Sequence, residues 1–375
     1  MSAMNSELAP VWLPKLVDLS NRLRDAARSA LLHAIESGEH ASMWRQAGQG
    51  AGDVTYGIDV PAERALEHWH EETARATPLS LLSEETGWRH LGPGRGGRAV
   101  ELSGFEHGGP RIVVDPIDGT RNLMTDVRSA WSVIGLAPAG GGAPSLADVE
   151  LGVLSEIPDS RAAAYRRLSA ERGGSCRCEQ RALDEDLRAM KLAPTSDRIA
   201  GQERDRTSSA ARDASDGALL SERVLDNGDE VRLDHAYFPF FKYMADMRPA
   251  IAAIEARFFE RLAEHERADI RNCYDDQYIS NGGQLALLAL GAYRMIADVR
   301  AHLAALRRRP TLTSKPYDIA GAVVCARAAG AVITAVDGSE LQFPIDTETP
   351  VSFVGWVNRA TERRLAPHLA AALAT

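Results

Sequence analysis

The segment Val113–Asn122, VVDPIDGTRN, holds two carboxylates three residues apart, Asp115 and Asp118, on a turn that leaves an apolar strand. Two carboxylates so placed make an electronegative hole that is unfavourable unless something compensates. A hard divalent cation compensates well, since Mg2+ takes oxygen ligands. Pro116 restricts the backbone, so the carbonyl of Ile117 can turn inward as a further ligand. Gly119 lets a ligand come close to the main chain. The amides of Gly119 and Thr120, if they open a helix, suit a phosphate. The same string also reads as an Asx turn that caps a helix, because Asp-Pro and Asp-Gly are common turn pairs. Further carboxylates stand elsewhere: Glu84–Glu85 after the apolar run Leu79–Leu82, Asp59 ahead of Pro61, and Asp318 ahead of an apolar stretch. Taken singly, each reads as a solvated strand end or a helix cap. Together they offer carboxylates from four separated places, and a two-metal site needs ligands converging from separate elements.

Other chemistries find less support. The ten histidines form no H-x-x-x-H pair and no Cys/His cluster, and His68 and His70 read as surface residues of a helix. The four cysteines, Cys176, Cys178, Cys273 and Cys325, lack zinc spacing and read as free thiols of a reducing cytoplasm. Cys176-x-Cys178 is weighed as a metal pair and read instead as part of an edge strand. Gly92-x-Gly94-x-Gly96-Gly97 has neither the preceding strand nor the following helix of a dinucleotide loop. The chain carries 43 basic and 52 acidic residues, a net charge of −9, which argues against a general nucleic-acid binder. No apolar run is long enough to cross a membrane, and the first residues do not read as a secretory leader.

The elements that must position these groups follow from periodicity. At 375 residues the chain suggests two domains or one large composite, with 45% hydrophobic residues available to build a core. Helical spacing covers 14–37, ended by Gly38, and 61–76, opened by Pro61. Residues 39–53 read as a loop, and the Gly-rich 87–110 as a surface loop or hairpin. Strands are expected at 111–117, 130–137, 149–157 and 162–168. A breaker at 138–144 places a domain boundary near residue 145. Residues 195–235 read as a polar surface loop. Helices are expected at 244–266, 282–297, 318–329 and 358–374, with a strand at 331–336. The irregular alternation implies a mixed α+β architecture.

DPIDGT followed by x-Asn resembles the signature of the inositol monophosphatase-like, Mg2+-dependent, lithium-sensitive phosphatases. Other segments resemble that family in the same order: Ser83-Glu84-Glu85 its Gly-Glu-Glu, Asp53–Asp59 its D-x-x-T-x-x-D, and Tyr317-Asp318-Ile319-Ala320-Gly321 its Trp-Asp-x-Ala-x-Gly. Residues 279–298 resemble its substrate-pocket stretch. The likeness spans about 53–340 and thins over 195–275. Tyr317 replaces the usual Trp, Leu123 the usual Phe, and Arg327 stands where the family has Glu.

The resemblance implies an αβαβα sandwich of the sugar-phosphatase type. Residues 1–145 would form a metal-binding half. Residues 146–375 would complete the metal site and form the substrate pocket, with an insertion at about 195–275. It implies two or three Mg2+ ions, with Mn2+ as a substitute, held by Glu84, Asp115, the Ile117 carbonyl, Asp118 and Asp318. Glu85 would stand behind them or hold a water. Thr120 and Asp59 would orient the nucleophilic water, Gly119 and Thr120 would bind the phosphate, and Asp298 and Asn281 would bind substrate hydroxyls. The implied activity is phosphomonoester hydrolysis of a small phosphorylated polyol, sugar or nucleotide. Inositol 1-phosphate leads, ahead of fructose 1,6-bisphosphate and 3′-phosphoadenosine 5′-phosphate. A cytoplasmic homodimer is implied. A sensor that binds metal and phosphate without turnover, and a regulatory role seated in 195–275, are the readings of another class. Arg307, Arg308, Arg309 and Lys315 read as an exposed basic loop or as a contact for a second phosphate.

Overall fold

The computed structural model describes residues 8–51, 54–183 and 216–374. Asp53 and residues 195–215 of the expected polar loop lie outside the described residues. Helix α1 (Leu8–Ser37) buries Leu16, Leu19, Leu23, Ala27, Leu31 and Ala34 along one stripe, the face that three- and four-residue spacing predicts. A short helix α2 (His40–Trp44) and a hairpin of β1 (Gln46–Gln49) and β2 (Val54–Tyr56) occupy the stretch read as a loop. Helix α3 (Val60–Ala74) follows.

The strands β3 (Leu79–Ser83), β4 (Gly87–Pro93), β5 (Ala99–Glu101), β6 (Arg111–Asp118), β7 (Ala130–Ala137), β8 (Leu151–Ile157), β9 (Ala164–Glu171), β10 (Cys176–Ala182) and β11 (Leu219–Leu225) form one nine-stranded sheet, in the order β11-β10-β9-β8-β7-β6-β3-β4-β5. The pairing of β3 with β6 is parallel and the others are antiparallel. Every residue of β3, β6 and β7 is buried, because helices cover both faces of the sheet centre. The Gly-rich 87–110 stretch supplies the β4–β5 edge hairpin. Cys176 and Cys178 lie on β10, an interior strand between β9 and β11, which corrects the edge-strand reading. β7 and β8 pair across the breaker, so the sheet draws strands from both sides of residue 145.

After a parallel bridge of β12 (Ala236–Tyr237) with β13 (Cys273–Tyr274), the chain builds a second sheet. Its strands β14 (Met295–Asp298), β16 (Phe353–Trp356) and β15 (Val332–Thr334) lie in that order. The remaining helices among the described residues are α4 (Thr120–Met124), α5 (Arg248–His265), α6 (Asn281–Ala289), α7 (Arg300–Arg307), α8 (Pro316–Ala328) and α9 (Arg359–Leu373). The helix expected over 282–297 stops at Ala289; Gly291, at φ 74°, turns the chain and residues 295–298 become strand.

Three apolar cores give an α+β sandwich of αβαβα layers. α1 and α3 pack on one face of the large sheet, α6 and α8 fill the space between the two sheets, and α5 and α9 cover the small sheet. His70, expected at the surface, is buried on α3 under β3. Its ring donates to the Leu79 carbonyl while Nε2 has no partner, and burial pushes its pKa down to about 4. Among the described residues no helix is long and apolar enough to cross a membrane.

Candidate active site

Strand β6 carries the centre of the site. Between Asp115 and Asp118 its register against β7 slips, so that Pro116 and Ile117 face the single residue Ser132. Pro116 has no N–H for the ladder, and a bulge is where a strand tolerates it. The bulge lets two carboxylates that a regular strand would send to opposite faces address one cleft. The Ile117 amide donates to Asp115 Oδ1 at 3.0 Å, which tightens the turn. Gly119, at φ 99°, then reverses the chain into α4. A Cβ here would stand 3.1 Å from the Ile279 carbonyl, so glycine is needed for both the turn and the close approach.

Neighbouring elements bring further acids. The parallel pairing aligns Ser83 with Val114, so Glu84 leaves β3 beside Asp115. Asp318 sits in the first turn of α8, where Oδ2 accepts the Lys315 amide at 2.9 Å. The helix is held tightly against β7 and β8: a Cβ on Gly321 would lie 2.0 Å from the Ile134 carbonyl, and one on Gly152 2.3 Å from the Gly321 carbonyl. Asp118 is gripped from α6. Ser280 Oγ donates to Oδ2 at 2.7 Å, the Gly282 amide to Oδ2 at 2.5 Å, and the Asn281 amide to Oδ1 at 3.3 Å.

The electrostatics are strained. Burial, then the charges of Asp118, Asp318 and Glu84, hold the Asp115 carboxyl well above the usual carboxylate range. Burial and Asp118 raise Asp318 to about 8. Burial raises Asp118 to about 6 against the hydrogen bonds that favour its anion. Among the described residues no group of three His, Cys, Asp or Glu side chains is placed so that it could hold a metal ion. The donor set is nevertheless all oxygen and strongly anionic, and this is the composition a hard divalent cation takes.

Behind this layer the Thr120 hydroxyl lies 2.9 Å from the Ile117 carbonyl and 3.2 Å from Asp59 Oδ1. Asp59 does not cap α3 with its side chain; Oδ2 accepts the Tyr56 amide at 2.8 Å instead, and burial lifts its pKa to about 7. Thr55 donates to Glu85 through a short hydrogen bond. Glu63 of α3 joins this group. It lies 3.4 Å from Ser83 Oγ and is pushed to about 8 by burial and by the charges of Glu85 and Asp59.

Of the residues singled out in the sequence, Glu84, Asp115, Ile117, Asp118, Gly119, Thr120, Asn281 and Asp318 line one cleft. Asp59 and Glu85 stand behind it. Asp298 is buried beneath Arg300. The cleft wall also contains Arg121, Phe241, Tyr243, Arg300, Ser314 and Lys315. Of these, only Lys315 is marked by the sequence pattern. Arg307, Arg308 and Arg309 are exposed at the end of α7.

No protein-family model matches the sequence, and no curated protein matches it. Solved structures do resemble the fold. A hypothetical protein of Pyrococcus horikoshii, described as having similarities for inositol-1 monophosphatase, aligns at TM-score 0.56 and 13% identity, covering 97% of this chain and 98% of that one. Leishmania major fructose-1,6-bisphosphatase in holo form aligns at TM-score 0.59 and 13% identity, over 95% and 94%. A Thermotoga maritima IMPase aligns at TM-score 0.53 and 15% identity, over 96% and 98%. The chain therefore has the fold of the inositol monophosphatase superfamily.

Proposed function

We propose that this chain with the inositol monophosphatase fold is a Mg2+-dependent phosphomonoesterase acting on a small phosphorylated polyol, sugar or nucleotide. Inositol 1-phosphate is its leading substrate. The observation that carries this reading is the meeting of Glu84, Asp115, Asp118 and Asp318 in one cleft beside the Thr120–Asp59 pair. A structural role would not gather four carboxylates at a cost in mutual repulsion.

In this reading Glu84, Asp115, the Ile117 carbonyl, Asp118 and Asp318 hold the metal. When bound, Mg2+ would neutralise a dianionic phosphate, lower the pKa of a water and stabilise the leaving alkoxide. The rest falls to the chain itself. With the Ile117 carbonyl committed, the Thr120 hydroxyl donates its hydrogen bond to Asp59 Oδ1 and turns its lone pairs to the cleft. Thr120 Oγ can then accept a hydrogen from the attacking water and fix its direction. The Tyr56 amide holds Asp59 in place for this, and Thr55 holds Glu85. The Gly119 and Thr120 amides open α4 toward the phosphate oxygens. The Ser280 hydroxyl and the Gly282 amide stop Asp118 from swinging away.

The test is phosphate release from inositol 1-phosphate, fructose 1,6-bisphosphate and 3′-phosphoadenosine 5′-phosphate, with Mg2+ or with EDTA. Release that requires Mg2+ and falls by several orders of magnitude in Asp115→Asn supports the assignment. Near-normal turnover in that variant overturns the site. Failure of every ester while Mg2+ still binds would favour a non-catalytic sensor.

A further inference from the structure

Asp298 and Arg300 close on each other at the floor of the cleft. Arg300 Nε and Nη2 donate to Asp298 Oδ1 and Oδ2 at 2.9 and 2.6 Å, a bidentate pair, and both residues are 2% exposed or less. The Arg300 amide adds a bond to Oδ1 at 3.2 Å. Ser314 Oγ donates to Oδ2 at 2.6 Å, and Asn281 Nδ2 approaches Oδ2 at 3.4 Å. An ionised carboxylate offers about four lone-pair positions. The protein fills them, leaving no acceptor for a substrate hydroxyl.

Arg300 is equally spent. Besides its two bonds to Asp298, Nη2 donates to Ser314 Oγ at 2.7 Å, and Nη1 donates to the Leu312 carbonyl at 3.2 Å and to Tyr243 Oη at 3.0 Å. These five bonds use the five N–H groups of a guanidinium. The plane also lies 4.2 Å from the Phe241 ring centre. Tyr243 is different. Its oxygen accepts from Arg300, its ring lines the cleft, and no acceptor for its own proton is found among the described residues.

We propose that Asp298 is a positioning residue that locks Arg300, and that Arg300 aims the Tyr243 hydroxyl at the alcohol portion of the substrate, so that this end of the cleft selects a leaving group carrying a hydrogen-bond acceptor. This rests on the phosphomonoesterase reading above and, within it, moves the preference from the neutral polyol of inositol 1-phosphate to a phosphate ester that bears a second anionic group. It replaces a carboxylate that accepts hydroxyls with a phenol that donates. The adjacent guanidinium polarises the O–H bond, which favours anionic acceptors over neutral ones.

The experiment uses three aryl esters with Mg2+: phenyl phosphate, 4-carboxyphenyl phosphate and 4-(hydroxymethyl)phenyl phosphate. The expected wild-type preference is for the carboxy ester, expressed in KM. In Tyr243→Phe the ratio of kcat/KM between the carboxy and plain esters falls about ten- to a hundredfold, the size of a hydrogen bond to a charged group. Arg300→Lys keeps part of the ratio, and Asp298→Asn loses it. A wild-type preference for the hydroxymethyl ester, or a carboxy preference that survives Tyr243→Phe, overturns the proposal. Melting supplies an arm that needs no turnover. Asp298→Asn should lower Tm by leaving a buried guanidinium unpaired, and Asp298→Asn combined with Arg300→Met should recover part of the loss. An Asp298→Asn chain that melts like wild type refutes the clamp. If no ester is hydrolysed, the phosphomonoesterase reading fails while the melting arm still decides the clamp.

Discussion

Asp318 gives the acidic cleft a measurable thermodynamic signature. Burial, then the charge of Asp118, pushes its carboxyl up to about 8 in the folded chain from 3.8 for the free group. The stability it contributes is therefore complete below about pH 4 and is lost as the pH rises through about 8. At 1.36 kcal/mol per pH unit, full ionisation costs at most about 6 kcal/mol. Solvent reaching the cleft screens this to about 3 kcal/mol. An unfolding entropy of about 2.1 cal/mol/K per residue over 375 residues makes 3 kcal/mol worth about 4 °C in Tm. That fall is spread over the span from about pH 4 to 8, so through this group metal-stripped protein should melt about 3 °C lower at pH 9 than at pH 5, with only about 1 °C of it above pH 6.5. Asp318→Asn keeps an acceptor for the Lys315 amide and removes the charge, so its profile should be flatter. Mg2+ at a hundred times its Kd adds about 2.7 kcal/mol, or about 3 °C, to the wild type and much less to the variant. Differential scanning calorimetry across pH, with EDTA or Mg2+, reads all four curves. Metal-free wild type and Asp318→Asn whose melting profiles run parallel between pH 5 and 9 would refute the claim of a buried, mutually repelling cluster. An equal Mg2+ shift in both proteins would remove Asp318 from the ligand set.

His70 should act in the opposite pH range. A pKa held down to about 4 against 6.5 makes the unfolded chain the stronger proton binder, so about 3 kcal/mol is lost as the pH falls from 6.5 to 4. His70→Gln should shed that dependence in urea titrations, and parallel curves for the two proteins would contradict it. Gly321→Ala forces α8 off the sheet, because its new methyl would meet the Ile134 carbonyl. We expect a loss of about 2–4 kcal/mol in stability and weaker Mg2+ binding by calorimetric titration, since Asp318 rides on that helix. Gly119→Ala combines a left-handed φ of 99° with contacts near 3.1 Å. It should cost about 1–3 kcal/mol and reduce turnover more than substrate affinity, and an unchanged kcat would show that α4 does not orient the attacking water.

The site was legible in the sequence where its parts are contiguous. Asp115, Pro116, Ile117, Asp118 and Gly119 sit on one bulged strand end, and short-range stereochemistry alone makes that string unusual. Glu84 was legible through its apolar run, which had to be a strand. Ser280 was not, because it meets Asp118 from 162 positions away, and only the docking of α6 on the large sheet brings them together. His70 was misread because helical spacing marks it as amphipathic without saying that β3 covers it. Asp298 shows how one error in period propagates. With a helix drawn over 282–297, Arg300 has no reason to face Asp298. With residues 295–298 as strand and α7 starting at Arg300, Val299 turns the chain, the Asp298 carboxylate accepts the Arg300 amide two residues on as in an Asx turn, and the guanidinium folds back onto the same carboxylate. The residue that family likeness offers as a hydroxyl acceptor is thus taken by its own neighbour. The next polar group into the cleft is Tyr243, on a segment where neither period nor motif marked it.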